Sequence, residues 1–104
     1  MSHSLIYVTA PDRDAALAIA RTLVEARLVA CANVFEGATS LYWWEGRVHE
    51  EAEAVMVAKT RSDAVSAVVS KVKEIHSYSC PCVVALPIVA GNQEFLDWIS
   101  AETD

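Results

Sequence analysis

The sequence predicts an α+β sandwich of the split βαβ kind, with two helices on one face of an antiparallel sheet and a short helix ending the chain. Three observations carry this. Strand-length apolar runs and helical periodicities alternate in the order strand, helix, strand, strand, helix, strand. An aromatic run and a second apolar run flank Glu45-Gly46, as in a long hairpin. The 104 residues contain no linker, repeat or low-complexity tract, so one domain over 1–104 is expected.

Leu5 to Val8 is a short apolar, partly β-branched run, closed by Ala10-Pro11-Asp12, and reads as a strand with a breaker. Asp12 suits the N-cap of the helix that follows. There Ala16, Ile19, Ala20, Leu23 and Val24 recur at helical spacing, with Arg13, Arg21 and Glu25 opposite. Leu28 to Val34 is too short for another helix and reads as a strand; Gly37 marks a turn or bulge. Leu41 to Trp44 is an aromatic strand and Glu45-Gly46 a turn. Arg47 to Glu53 is polar, and Ala54 to Ala58 forms a continuous apolar run suited to a strand covered on both faces. Ser62 is placed to cap a second helix, whose Val65, Val68, Val69, Val72 and Ile75 face a core. His76 to Pro81 is a loop. Val83 to Val89 is a last strand, and Pro87 limits its pairing, pointing to an edge or a strand end. Gly91-Asn92 turns the chain into a terminal helix carrying Phe95, Leu96, Trp98 and Ile99.

The apolar fraction of 54% exceeds the usual ~45–50%. No stretch approaches the roughly 20 apolar residues of a membrane span, so a subunit interface is the expected outlet. Tyr42 and Trp44, or their alternating neighbours, would lie on an uncovered sheet face, and long hairpin strands leave edges that need a partner. Self-association answers both. A net charge of −6 without a basic cluster argues against nucleic acid. The opening Met-Ser-His-Ser has no signal-peptide pattern, and three cysteines make no disulfide framework, so a reducing cytoplasm is expected. There is no Gly-rich phosphate loop, His-Glu-x-x-His helix or Gly-x-Ser-x-Gly elbow, and no enzyme is expected.

Thr9-Ala10-Pro11-Asp12, Leu28-Val29-Ala30-Cys31-Ala32-Asn33, Ser40-Leu41-Tyr42-Trp43-Trp44-Glu45-Gly46, Glu53 through Lys59-Thr60, His76-Ser77-Tyr78 with Pro81, Leu86-Pro87-Ile88, and Leu96-Asp97-Trp98-Ile99 follow one another over nearly the whole chain. In order and spacing they resemble the divalent-cation tolerance (CutA) proteins. The resemblance implies a ferredoxin-like subunit in a homotrimer similar to the PII signalling proteins, without established catalysis. It also implies copper binding and a role in response to metal ions. The family's loop is His-Pro-Tyr-Glu-x-Pro-Glu, whereas this chain has His76-Ser77-Tyr78-Ser79-Cys80-Pro81-Cys82. Both loop carboxylates are replaced. Family members that bind copper can carry a cysteine before Thr-Ala-Pro and paired histidines before the loop; here those positions are Val8 and Ile75-His76. Only His76 survives.

His76 is therefore a candidate ligand for copper or zinc, or else a helix-terminal residue favoured by the macrodipole. Cys80 and Cys82 would add two soft thiolates suited to Cu(I) or zinc, the alternatives being packing or a redox-labile pair. Cys31, among alanines and valines, reads as a small buried hydrophobe. His3 and His49 read as surface residues. Tyr42, Trp43 and Trp44 offer either an interface core or a stacking platform with Lys59 or Arg47. In a second reading the trimer is a PII-like sensor, holding a small anion in inter-subunit clefts with Lys59 and Tyr78.

Overall fold

Periodicity alone sets most of the architecture. The computed structural model describes all residues from Met1 to Asp104, and its elements come in the expected order. Strand β1 (His3–Ala10) leads past Asp12, whose carboxylate accepts from the Ala15 amide at 2.8 Å, into helix α1 (Arg13–Glu25). Strands β2 (Cys31–Trp44) and β3 (Arg47–Arg61) form the hairpin. Helix α2 (Val65–Ile75), strand β4 (Val83–Ile88) and helix α3 (Gln93–Glu102) follow. The sheet is antiparallel with order β2-β3-β1-β4, a ferredoxin-like arrangement that leaves β2 and β4 as its edges.

Alternate residues of β1 and β3 (Ile6, Val8, Ala10; Ala54, Met56, Ala58) are buried with Ala16, Ile19 and Leu23 of α1 and Val68 and Val72 of α2. Period 2 on the strands meets period 3.6 on the helices, and the core lies between. The opposite face carries Leu5, Tyr7, Val55, Val57, Val84 and Leu86, which register places side by side. Helix α3 reaches that face at one end: His3 Nε2 lies 2.8 Å from Ser100 Oγ, and Lys59 Nζ sits 5.9 Å from the Phe95 ring centroid. The remainder of the face has no cover within the chain, and Val84 and Leu86 are each 50% exposed.

Several expectations change. His3 is buried, not on the surface, because β1 turns it under α3. Val24 lies off the buried stripe of α1 and is exposed. Ser62 opens a short 3-10 turn (Ser62–Ala64) before α2 and makes no cap bond; its hydroxyl instead meets Ser4 Oγ at 2.7 Å. Ala54 to Ala58 is not covered on both faces: Val55 and Val57 are only half-buried. Cys31 is half-buried at the start of β2, opposite Lys59.

The hairpin outruns the sheet. Strand β1 ends at Ala10, opposite Ala54, so Ala38 to Glu53 continues as a two-stranded arm without a third strand. The long axis is 44 Å, and the Cα radius of gyration of 14.1 Å exceeds the ~13 Å expected at this length. Glu45 (φ 51°) and Gly46 (φ 79°) close the arm with both turn residues left-handed, the twist-matched hairpin geometry. At the base of the arm, Glu36 and Gly37 together oppose Ala54, a bulge in which Gly37 has φ 84°. The extra residue inverts the alternation of β2. Phe35 shares a face with Val55, but beyond the bulge Ser40, Tyr42 and Trp44 share that face with Glu51 and Glu53. Leu41, Trp43 and Val48 turn to the other side, where Trp43 is 74% exposed.

Candidate functional site

The loop after α2 bends around the end of the sheet and meets the arm. His76 fixes its start. The ring is buried, Nε2 lies 2.7 Å from the Thr9 carbonyl oxygen, and Nδ1 accepts from the Tyr78 amide at 3.0 Å. Since a carbonyl only accepts and an amide only donates, the imidazole carries its proton on Nε2. Both ring nitrogens are thereby engaged. The Tyr78 ring packs against the imidazole at a centroid distance of 4.6 Å, and its hydroxyl donates to Glu53 Oε2 at 2.8 Å.

Between loop and arm lies an open cavity of about 410 Å³. Tyr42, Trp44 and Tyr78 supply aromatic walls, Glu51 and Glu53 supply carboxylates, and Cys80 and Cys82 supply thiols. No lysine, arginine or histidine lines it. A second tyrosine–glutamate pair matches the first: Tyr42 donates to Glu51 Oε1 at 2.8 Å. His49 stacks on Tyr42 at 5.4 Å and lies 3.9 Å from Glu51, so it supports the arm rather than standing free in solvent.

Both phenols hold their protons beyond the ordinary range. For Tyr78 the pKa is raised by burial first and by the hydrogen bond to Glu53 second; for Tyr42 it is raised by the bond to Glu51 first and burial second. The unfolded chain then loses its tyrosine protons before the folded one does. The stability contributed is complete below the ordinary value of 10.0 and is lost as pH climbs above it toward the raised native value. Tyr78→Phe should flatten the alkaline limb of the stability profile, measured as urea midpoints between pH 8 and pH 12.

The structure brings together some candidate residues and separates others. Tyr78, Cys80 and Cys82 share the cavity, and both thiols are free and exposed. His76 lies behind its wall with no free ring nitrogen, and can ligate only by releasing Thr9 or Tyr78. Lys59 is absent from the cavity, six residues along β3 from Glu53, above Phe95. No group of three or more His, Cys, Asp or Glu side chains is close enough to hold a metal ion. A tetrahedral zinc centre therefore does not fit this chain alone. Sequence reasoning did not assign Glu51 to the site. Its signal was the alternation of Glu51 and Glu53 opposite Ser40 and Ala38, readable by pairing the strands outward from the Glu45-Gly46 turn.

Comparison with known proteins agrees with this architecture. The family model described as CutA1 divalent ion tolerance protein matches residues 4–102. The divalent-cation tolerance protein CutA of Archaeoglobus fulgidus is 46% identical over 97 residues, covering 93% of this chain and 94% of that protein. Protein CutA 1, chloroplastic, of Oryza sativa is 39% identical over 99 residues, and the chain spans 95% of itself but 56% of that relative. Among solved structures, the periplasmic divalent cation tolerance protein CutA from A. fulgidus superposes with a TM-score of 0.94 at 44% identity, covering 98% and 99% of the two chains. CutA1 from Oryza sativa gives 0.97 at 38% identity, covering 100% and 95%. With its sheet order, its hairpin arm and nearly its whole length matched, the chain belongs to the CutA1 divalent ion tolerance family.

Proposed function

We propose that this chain acts as a non-catalytic homotrimer that takes up copper, as Cu(I), at Cys80 and Cys82 and so takes part in the response to metal ions. The observation that carries this reading is the shared cavity: two exposed thiols stand beside two carboxylates, with no basic side chain on the wall. Soft thiolates select Cu(I), and the surrounding negative charge favours cation entry. His76 joins as a third ligand only if it surrenders a hydrogen bond. The small-anion reading with Lys59 and Tyr78 has less support, because Glu51 and Glu53 would face the anion and Lys59 would not.

The trimer is supported by the two sheet edges. The outer sides of β2 and β4 are different surfaces, so pairing one with the other is head-to-tail, the kind of contact that yields a closed ring when three such rotations complete a turn. Such closure would cover the apolar face around Val57 and Leu86 and supply partners for the arm. Three free cysteines suit a reducing compartment such as the cytoplasm, and no helix is long and apolar enough to cross a membrane.

Native mass spectrometry of reduced, demetallated protein with Cu(I), Cu(II) and Zn(II) tests this. A trimer gaining one Cu(I) per subunit, lost in Cys80→Ser with Cys82→Ser, is expected. Loss in His76→Ala as well would make His76 a ligand. Undiminished Cu(I) uptake by the double serine variant would defeat the assignment, and an unmetallated trimer would defeat the copper reading altogether.

A further inference from the structure

The cavity has more aromatic surface than a metal ion needs. A bare ion bound by Cys80 and Cys82 would use the loop alone and leave Tyr42, Trp44 and Tyr78 without a role in binding. At about 410 Å³ the space falls within the ~300–1,000 Å³ range of small-molecule pockets. Its lining combines two features that rarely serve the same ligand unless that ligand is both organic and positive. Aromatic rings present their negative π faces to a cation and apolar surface to its carbon skeleton. Carboxylates neutralise the charge and accept hydrogen bonds from an N–H donor.

The carboxylates are also held in place. Tyr42 pins Glu51 through Oε1 and Tyr78 pins Glu53 through Oε2, each at 2.8 Å, which leaves the second oxygen of each glutamate uncommitted by the tyrosine. A freely rotating surface glutamate would have to be ordered on binding, at a cost of about 0.5–1.5 kcal/mol per side chain. Here the ordering precedes the ligand. Tyr78 is itself positioned by His76, whose Nδ1 accepts its amide proton. The pocket is thus braced from the buried side of the fold up to its wall. An anion would meet two carboxylates and no cationic side chain, and a neutral aromatic would leave both charges without a counterion.

We infer that the cavity formed by Tyr42, Trp44, Tyr78, Glu51 and Glu53 binds a small organic ammonium ion, with its alkyl or aryl part against the rings and its nitrogen at the carboxylates. Cys80 and Cys82 line the same cavity but supply neither ring nor carboxylate to the ammonium ion, so the inference stands or falls separately from copper uptake.

Three probes with the same ring and different charge test it: benzylammonium, benzyl alcohol and benzoate, titrated calorimetrically into the full chain at pH 7.5. Benzylammonium should bind at least tenfold more tightly than benzyl alcohol, and benzoate should not bind. Glu51→Gln with Glu53→Gln, which keeps acceptors for both tyrosine hydroxyls, should weaken benzylammonium at least tenfold and remove the preference over benzyl alcohol. Trp44→Leu, at the exposed end of the arm, should weaken both neutral and charged probes. Cys80→Ser with Cys82→Ser, which keeps the shape of the wall, should change benzylammonium affinity less than threefold while abolishing Cu(I) uptake, which separates failure of one reading from failure of the other. Equal affinity for all three probes, a preference for benzoate, or an unchanged benzylammonium affinity in the glutamine variant would each overturn the inference. Circular dichroism and sedimentation of every variant exclude misfolding as the cause of a loss.

Discussion

Val84→Asp combined with Leu86→Asp is expected to convert the proposed trimer into monomers at micromolar concentration. Both side chains lie on the edge strand β4, both are 50% exposed within the subunit, and register sets them beside Tyr7 and Leu5 on the uncovered face. Their replacement costs the isolated subunit little, since neither belongs to the buried cluster between sheet and helices. In the proposed ring the same positions are enclosed by a neighbour. Unpaired carboxylates there cost on the order of several kcal/mol apiece. A loss of about 4 kcal/mol weakens association roughly a thousandfold. Sedimentation velocity would show the change as a fall to one-third of the mass. A variant that stays trimeric would place the interface elsewhere.

His76→Ala should lower stability by about 2–4 kcal/mol, read as a shift in the guanidinium midpoint at fixed protein concentration. The substitution empties a buried site and leaves the Thr9 carbonyl and the Tyr78 amide without their partner. His76→Phe refills the volume without restoring either bond and should recover only part of the loss. The distinguishing readout is hydrogen exchange. The Tyr78 amide, protected by Nδ1, should exchange much faster in both variants, while amides in the middle of β1 and β3 keep their protection relative to global unfolding. If the Tyr78 amide keeps its protection in both variants, the histidine does not brace the loop.

How much of this was legible in the residues depends on the range of the contact involved. The Asp12 cap is local, three residues from its partner, and the sequence placed it correctly. Ile6 and Val8, or Val68 and Val72, announce their faces by period, and the core follows. Pro87 narrowed β4 to an edge or a strand end, and the strand has both: it borders the sheet and stops at Ile88. Other features join distant parts of the chain. His76 reaches Thr9 across 67 positions and Tyr78 reaches Glu53 across 25, and no periodicity encodes either pair. His3 looked like a surface residue near the start of the chain because its burial depends on α3, 97 residues away. The aromatic run Tyr42-Trp43-Trp44 could be assigned to a strand but not divided between faces, because alternation counted from Phe35 through the bulge gives the opposite answer to pairing counted back from the turn. The family resemblance located fold and loop, yet the loop's Cys80 and Cys82 are departures from it, so the resemblance alone could not give them a role.

The bulge at Glu36-Gly37 separates where the arm points from what it carries. Pairing from the turn sets Tyr42 and Trp44 on one side with the glutamates and Leu41 and Trp43 on the other with Val48. Removing Glu36 would set Gly37 opposite Ala54 and leave every pair from Ala38–Glu53 to Trp44–Arg47 as it is. No side chain of the arm would change face; the local bend and the extra twist that a bulge brings would be lost instead. For a lineage or an engineer, a single codon deletion at this point would re-aim the arm as a unit, with both of its surfaces and the hydrophobic interior untouched. Reach and composition of the arm can thus be altered independently, the first at its base and the second along its length.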